Sequence, residues 1–424
     1  MASGTTRLST APYRGTRDFL PDEMSVRGQV YGRLFAVIES FGYVRYDGPT
    51  LEPVEIYEAK SGQELVNEQL YRLTDRGGRT LALRPEMTPT VARMVAGHAA
   101  RIALPARWYS FAHFHRYERP QRGRVREHWQ INVDIFGAES PEAEVEIFAL
   151  IHRMFAALGA APADYVLRAS DRALVQAALV RYAGIGHEAM REVFRVLDRW
   201  EKYPLAENQA LLAAAGLTAD QIARVGEVVG MDFARFRDLV TDAELDASNL
   251  GRILRDGLLD GPLAFDPLIV RGFEYYTSTV FEVFDSAPEN RRSLFGGGRY
   301  DNLAGLFSDR RIPGIGFGMG DVTLFDFLGT HGLLPEARTA PDVALLPLEA
   351  ASRTELLTLA AELRAAGLRV VTPLASRGVG KDLKDAARQG ARYAVLLLPD
   401  ELARGAVIVR DLARGEQREV PRER

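Results

Sequence analysis

Apolar residues recur at three- and four-residue spacing through Val30, Leu34, Val37, Ile38 and Phe41, after Pro21 and before Gly42. That period places them on one face of a helix over about 22–41, with the glycine at the usual stop position. A different period governs 127–136. Trp129, Ile131, Val133 and Ile135 alternate with Gln130, Asn132 and Asp134, which predicts a strand with an apolar back and a polar front. Such a strand is suited to floor a substrate cleft. A second strand is expected over 107–118, with an arginine-rich loop between the two. Residues 70–84 read as a hairpin turning at Arg76-Gly-Gly, and Pro49 and Pro53 bracket a short extended piece.

From about 171 to 261 Leu, Ala and Arg fall at helical spacing, and Thr218-Ala-Asp-Gln is a helix-start signal. Strand character resumes over 267–284, so the helical stretch reads as an insertion. A glycine-rich stretch over 313–320 precedes a helix to about Phe327. Residues 329–341 read as a linker. Beyond it strands (343–347, 369–372, 393–398) alternate with helices (352–366, 381–389). That order predicts a small α/β domain with a mixed or parallel sheet.

A chain of 424 residues is too long for one ordinary domain. It has no cysteine, which excludes disulfides, thiolate metal sites and cysteine nucleophiles. Residues 1–20 are polar and interrupted by arginines, so no signal peptide is expected. Charges break every longer apolar run, so no membrane span is expected and a cytoplasmic protein is the default. The net charge of −4 argues against a generally basic surface, although residues from Asp342 onward carry a slight basic excess.

Candidate chemistry gathers in three places. Segment 115–130 holds five arginines, whose forked guanidinium groups suit phosphate oxyanions. Arg271-Gly-Phe-Glu-Tyr-Tyr276-Thr offers a cation beside two phenols. Gly296-Gly-Gly-Arg-Tyr-Asp301 reads as a glycine turn ending in charge. Together the last two suggest a site for a small aromatic zwitterion and a phosphate-bearing partner. Other motifs fall away. The alternate glycines 314–320 lack the dinucleotide spacing, because position 319 is Met. Gly380-Lys381 is not a phosphate-binding loop, because position 375 is Ala. His113, His115 and His128 have no carboxylate at ligand spacing, so no metal site is expected.

With the arginine-rich segment added, the chain resembles the histidyl-tRNA synthetase family of class II aminoacyl-tRNA synthetases. The matching segments are Arg14-Gly-Thr-Arg-Asp18, Asp75-Arg-Gly-Gly-Arg79, Leu83-Arg-Pro-Glu-Met-Thr88, residues 115–130, and the motifs at 271–277 and 296–301. Gly380-Lys-Asp-Leu-Lys384, Asp400-Glu-Leu-Ala-Arg-Gly405 and Gly415-Glu-Gln417 look like the family's anticodon-binding domain. The resemblance implies an α+β fold. Its first domain, 1–328, would be an antiparallel sheet flanked by helices and interrupted by the insertion. The linker and an α/β anticodon-binding domain, 342–424, would follow. It also implies a homodimer, with the 22–41 helix and the 49–53 stretch in the interface.

The implied reaction activates histidine with ATP, accompanied by Mg2+, and transfers it to the 3′ end of tRNA-His. By resemblance, Arg116 would bridge the histidine carboxylate and the α-phosphate, and Arg271 would act on that phosphate. Glu86 and Thr88 would hold the α-amino group. Gln130 and Asp134 would line the amino-acid pocket, and Tyr275 and Tyr276 would contact the imidazole. Glu118 and Arg124 would face the nucleotide. Carboxylate attack on phosphorus joins two anions, so fixed positive charge serves it better than a general base.

Three positions depart from the family pattern: Thr323 where an arginine contacting the ATP tail is usual, Asp134 for glutamate, and Asn302 for glycine. The rival reading is a non-charging relative, the regulatory subunit of ATP phosphoribosyltransferase. The intact 296–301 motif and the C-terminal domain oppose it.

Overall fold

The computed structural model describes residues 8–59, 65–259, 261–269, 275–290, 292–347, 353–375 and 377–422. The chain divides into two compact units. One comprises Met1–Phe19 and Arg27–Pro335, the other Leu20–Val26 and Glu336–Arg424. No described helix is long and apolar enough to cross a membrane.

The larger unit is built on an eight-stranded sheet. In chain order its strands are β1 (Val44–Arg45), β5 (Ala106–His115), β6 (Glu127–Phe136), β7 (Tyr165–Asp171), β8 (Ala264–Phe265), β9 (Thr279–Asp285), β10 (Ser293–Arg299) and β11 (Gly314–Gly320). Their spatial order is β1-β5-β6-β11-β10-β9-β7-β8. The six central strands pair antiparallel, and each edge strand pairs parallel to its neighbour. A smaller sheet holds β2 (Leu51–Pro53), β3 (Arg72–Thr74) and β4 (Thr80–Leu83), with β3 and β4 forming the expected hairpin.

The alternation along β6 decides what the large sheet does with its two faces. Ile131, Val133 and Ile135 enter the main core, under the helices Pro21–Ser40 and Glu142–Leu158. The first helix opens on proline, whose fixed φ suits that position. The second ends at Gly159, in the left-handed conformation that glycine adopts without penalty. The opposite face is polar along His128, Gln130, Asn132 and Asp134, while Ala112, Phe114 and Phe136 are covered by an apolar cluster with the Thr88–His98 helix.

Helices fill 172–256, and Thr218 forms a reciprocal capping box with Gln221. Asp171 joins this region to the sheet. Its carboxylate accepts from the amides of Ala173 and Leu174 and from the Ser248 hydroxyl.

Several expectations need correction. The glycines 296–298 are not a turn but the middle of β10, between β9 and β11. A Cβ on Gly297 would lie 2.2 Å from the Gly316 carbonyl oxygen and 2.6 Å from the Phe281 ring. The three-stranded centre is therefore packed closer than any side chain allows. The strand expected over 107–118 stops at His115, where the backbone turns into the arginine-rich loop. Among the described residues of 267–284, only those of Thr279–Asp285 are strand. The helices Thr88–His98 and Glu142–Leu158 and strand β7 are additional elements.

The smaller unit has a mixed sheet ordered β13-β12-β14-β15-β16: β12 (Val343–Pro347), β13 (Val370–Val371), β14 (Tyr393–Leu397), β15 (Ala406–Asp411) and β16 (Gln417–Pro421). The first three are parallel and the last two antiparallel. Val343 and Leu345 face one apolar cluster, Ala344 and Leu346 the other. Covering both faces explains why β12 reads as an unbroken apolar run.

Candidate active site

The polar face of the large sheet carries a cleft of about 530 Å³. Its floor is the polar side of β6 (His128, Gln130, Asn132), with Glu282 on β9, Gly296 and Gly297 on β10, and Gly316 and Gly318 on β11. The β11 glycines are a condition for this floor. A Cβ at Gly318 would lie 2.3 Å from Gln130 Nε2, and one at Gly316 would lie 2.3 Å from an Asp134 oxygen. Only a strand bare of side chains on its cleft face lets both polar groups lie across it.

Glu86 and Thr88 come from the turn between β4 and the Thr88–His98 helix. Arg116, Glu118 and Arg124 come from the loop after β5. Tyr275 and Tyr276 precede β9, and Thr323 sits in the first turn of the Asp321–Thr330 helix. Eight of the candidate residues therefore converge: Glu86, Thr88, Arg116, Glu118, Arg124, Gln130, Tyr275 and Tyr276. Arg271 lies outside the described residues. Asp134 shares the face but sits behind the lining, buried, where it accepts a hydrogen bond from Tyr300. Tyr300, His128 and Glu282 are lining residues that the sequence reading does not assign. Strand parity could have found two of them, since His128 matches Gln130, and Glu282 lies on the face of β9 opposite to Phe281, Val283 and Asp285.

The electrostatics divide the cleft. Tyr275 donates to Glu86 Oε2 at 3.0 Å, and its ring stands 4.9 Å from Tyr276, edge to face. Burial, and then the Glu86 charge, hold both phenols above their ordinary pKa, so both remain hydrogen-bond donors. Burial raises Asp134 to about 7, against the opposing effect of the Tyr300 hydrogen bond. His128 is pushed down to about 3, first by burial and then by the Arg116 charge, and is neutral. Arg116 is fixed by one bond, Nε to the Pro85 carbonyl at 2.9 Å. Arg124 Nε stands 3.5 Å from Glu118, whose Oε2 has no hydrogen-bond partner among the described residues. One end of the cleft thus offers guanidinium groups. The other offers carboxylates screened by tyrosines.

Two charged residues of the sequence motifs serve the frame instead. Arg299 turns away from the cleft and grips Glu144 with two bonds of 2.7 Å, both side chains being buried. Arg17 binds Asp321 at 2.9 Å. Asp321 also accepts from Arg27 at 2.7 Å and from the Trp129 amide, which ties the 14–18 motif to the end of β6. Thr323 donates its hydroxyl to the Leu294 carbonyl at 2.5 Å. Among the described residues no three His, Asp or Glu side chains gather as a metal site.

The family model for histidyl-tRNA synthetase matches residues 15–322, and that for an anticodon-binding domain matches 342–424. A histidine–tRNA ligase of Leptospira biflexa is 39% identical over 416 residues, 97% of this chain and 95% of that one. One of Opitutus terrae is 39% identical over 429 residues, covering 96% and 95%. The histidyl-tRNA synthetase structure from Nostoc superposes with a TM-score of 0.82 at 23% identity, covering 98% of each chain. A Bacillus halodurans structure, described as an ATP phosphoribosyltransferase regulatory subunit/histidyl-tRNA synthetase, superposes at 0.75 with 22% identity, covering 92% of this chain and 99% of that one. The last two likenesses bear on the fold. With the match over 15–322 and 39% identity along nearly the whole length, this chain belongs to the histidyl-tRNA synthetase family.

Proposed function

We infer that the protein is a histidine–tRNA ligase, which forms histidyl-adenylate from histidine and ATP and then charges tRNA-His. The observation that carries the reading is the polarity of the cleft, which matches a zwitterion placed beside a polyphosphate. The histidine amino group would lie against Glu86 and Thr88, and its carboxylate against Arg116. The imidazole would reach toward Tyr275, Tyr276 and Gln130. Tyr300 would pass the charge of Asp134 to the ring. A site whose buried donors and acceptors are matched to both ring nitrogens rejects analogues lacking them by about 10⁴ or more, because its own groups would be left unpaired.

In activation a histidine carboxylate oxygen bonds to the α-phosphorus, and the bond to the bridging oxygen of the β-phosphate breaks. Pyrophosphate leaves with that electron pair. Negative charge grows on the α-phosphate, where Arg116 is already fixed by its bond to Pro85. Arg271 is proposed as the second cation there. Stabilisation by donors held in place before reaction is worth several kcal/mol. Mg2+ enters with ATP as part of the substrate. Glu118, a carboxylate of the cleft lining, would help hold it, and the ion would supply charge neutralisation along the phosphates.

Residues 342–424 are proposed to read the anticodon, and the 172–256 helices to bear on the acceptor arm. A homodimer acting in the cytoplasm completes the proposal. The regulatory reading gains nothing from this chain, whose cleft brings eight of the expected substrate-facing groups together and whose C-terminal region matches the anticodon-binding model. The test is charging of total tRNA with labelled histidine. Saturable, ATP-dependent incorporation into one isoacceptor family is expected, and Arg271→Ala should abolish activation while leaving tRNA binding intact. Absence of histidine incorporation into any tRNA would overturn the proposal.

A further inference from the structure

Among the described residues, the cleft lining is poor in positive charge for a polyphosphate. Its described residues include three carboxylates (Glu86, Glu118 and Glu282) against two guanidinium groups, Arg116 and Arg124. Arg124 leans toward Glu118. Thr323, at the outer end, brings no charge, and its hydroxyl is committed to the Leu294 carbonyl.

The structure places another cation beside that end. Arg292, just before β10, lies against Gly123 on the rim. From the point where a Gly123 Cβ would stand, Arg292 Cδ is 3.7 Å away, Arg292 Nη1 3.9 Å and Thr323 Cγ2 4.0 Å. Gly123 and Thr323 both line the cleft. Arg292 is exposed and makes no hydrogen bond or ion pair with another described residue.

Its neighbourhood, in contrast, is anchored. Arg122 binds Asp326 at 3.1 Å through two nitrogens and Asn290 at 2.8 Å. Asn290 in turn donates to Asp285 at 2.6 Å and to Thr330 at 3.1 Å. The arginine-rich loop, the Asp321–Thr330 helix and the chain leading to Arg292 therefore share one set of bonds. They hold an unpaired guanidinium at the mouth of the cleft.

We propose that Arg292 binds the outer phosphates of the nucleotide and steadies pyrophosphate as it leaves, across the rim from Thr323. The assignment rests on the activity proposed above. When the bond from the α-phosphorus to the bridging oxygen breaks, the electron pair goes to pyrophosphate, and a guanidinium there binds the product oxyanions bidentately.

The test is ATP–pyrophosphate exchange by the full chain. Arg292→Ala should raise KM for ATP and for pyrophosphate about tenfold, the loss expected for one charge-assisted contact at a partly wet site. KM for histidine should stay within about twofold. Inhibition by AMP, which lacks the outer phosphates, should not change. Arg292→Lys should recover part of the loss, and Thr323→Arg added to Arg292→Ala should recover more, by supplying a cation at the facing position. If Arg292→Ala leaves both phosphate-linked constants unchanged while exchange proceeds, this assignment alone is overturned. ATP and histidine constants rising together would also overturn it, since that would mean a general distortion. No exchange in the wild-type chain would overturn the activity and this assignment with it.

Discussion

Replacing Arg299 by alanine removes the cation from a buried pair rather than from the reaction. Arg299 gives Glu144 two bonds of 2.7 Å and the Ala138 carbonyl a third, with side-chain exposures of 3% for Arg299 and 0% for Glu144. The truncation leaves the Glu144 carboxylate with Asn249 at 3.0 Å and Thr279 at 3.3 Å, and with no countercharge in contact. Breaking one side of such a pair costs about 3–5 kcal/mol. At a urea dependence of about 3 kcal/mol per molar, the midpoint should fall by about 1–1.7 M. All three tryptophans, Trp108, Trp129 and Trp200, lie in the larger unit, so their fluorescence reports its unfolding. Arg299→Met combined with Glu144→Leu should recover part of the loss, since an apolar pair needs no countercharge. In the folded range Arg299→Ala should keep its KM values for ATP and histidine, because Arg299 does not line the cleft. A lost exchange activity at an unchanged urea midpoint would refute the structural role. So would a midpoint shift worth less than about 1 kcal/mol.

Gly297→Ala should be among the most damaging single-methyl additions in the chain, at or above the usual 1–3 kcal/mol for overpacking, because a backbone carbonyl 2.2 Å away cannot rotate aside. Thermal unfolding of the purified variant checks this. Asp134 holds its proton to about pH 7 in the folded chain but only to about 3.9 unfolded. Its contribution is therefore fully present below pH 4 and lost as pH rises through 7, by up to about 4 kcal/mol at 1.36 per pH unit. Urea midpoints of histidine-free Asp134→Asn should thus gain on wild type between pH 4 and pH 8, and parallel curves would contradict the raised value. Binding of tRNA should weaken steeply between about 50 and 200 mM salt, as phosphate contacts require; a filter-binding series with a flat response would exclude a phosphate-dominated interface.

Much of this architecture is written in local pattern. The alternation along 127–136 alone fixes the face of β6, hence the floor of the cleft and the back of the core. The Glu142–Leu158 helix, absent from the elements expected above, carries the same kind of signal, with Ala143, Ile147, Leu150, Ile151, Met154 and Leu158 at helical spacing. Glycines 296–298 are different. Local propensity reads them as a turn, and only the Phe281 ring and the Gly316 carbonyl explain why a central strand must lack side chains there. Parity puts Asp134 on the cleft face but says nothing of depth, and its seat behind Tyr300 depends on a contact 166 residues away in sequence. Arg299 and Arg17 carry motif charges that the fold spends on Glu144 and Asp321. Arg292 sits in no recognisable spacing, because its place at the rim is set by the bonds of Arg122 and Asn290.

The central claim is that the cleft joins histidine to the α-phosphate of ATP. Histidine-dependent exchange of labelled pyrophosphate into ATP, run against each of the other amino acids, tests it most directly. The account predicts exchange with histidine alone, falling by about 10³ or more in Arg116→Ala, as for loss of a preorganised oxyanion donor. Exchange driven by a different amino acid, or histidine-driven exchange indifferent to Arg116→Ala, would contradict it.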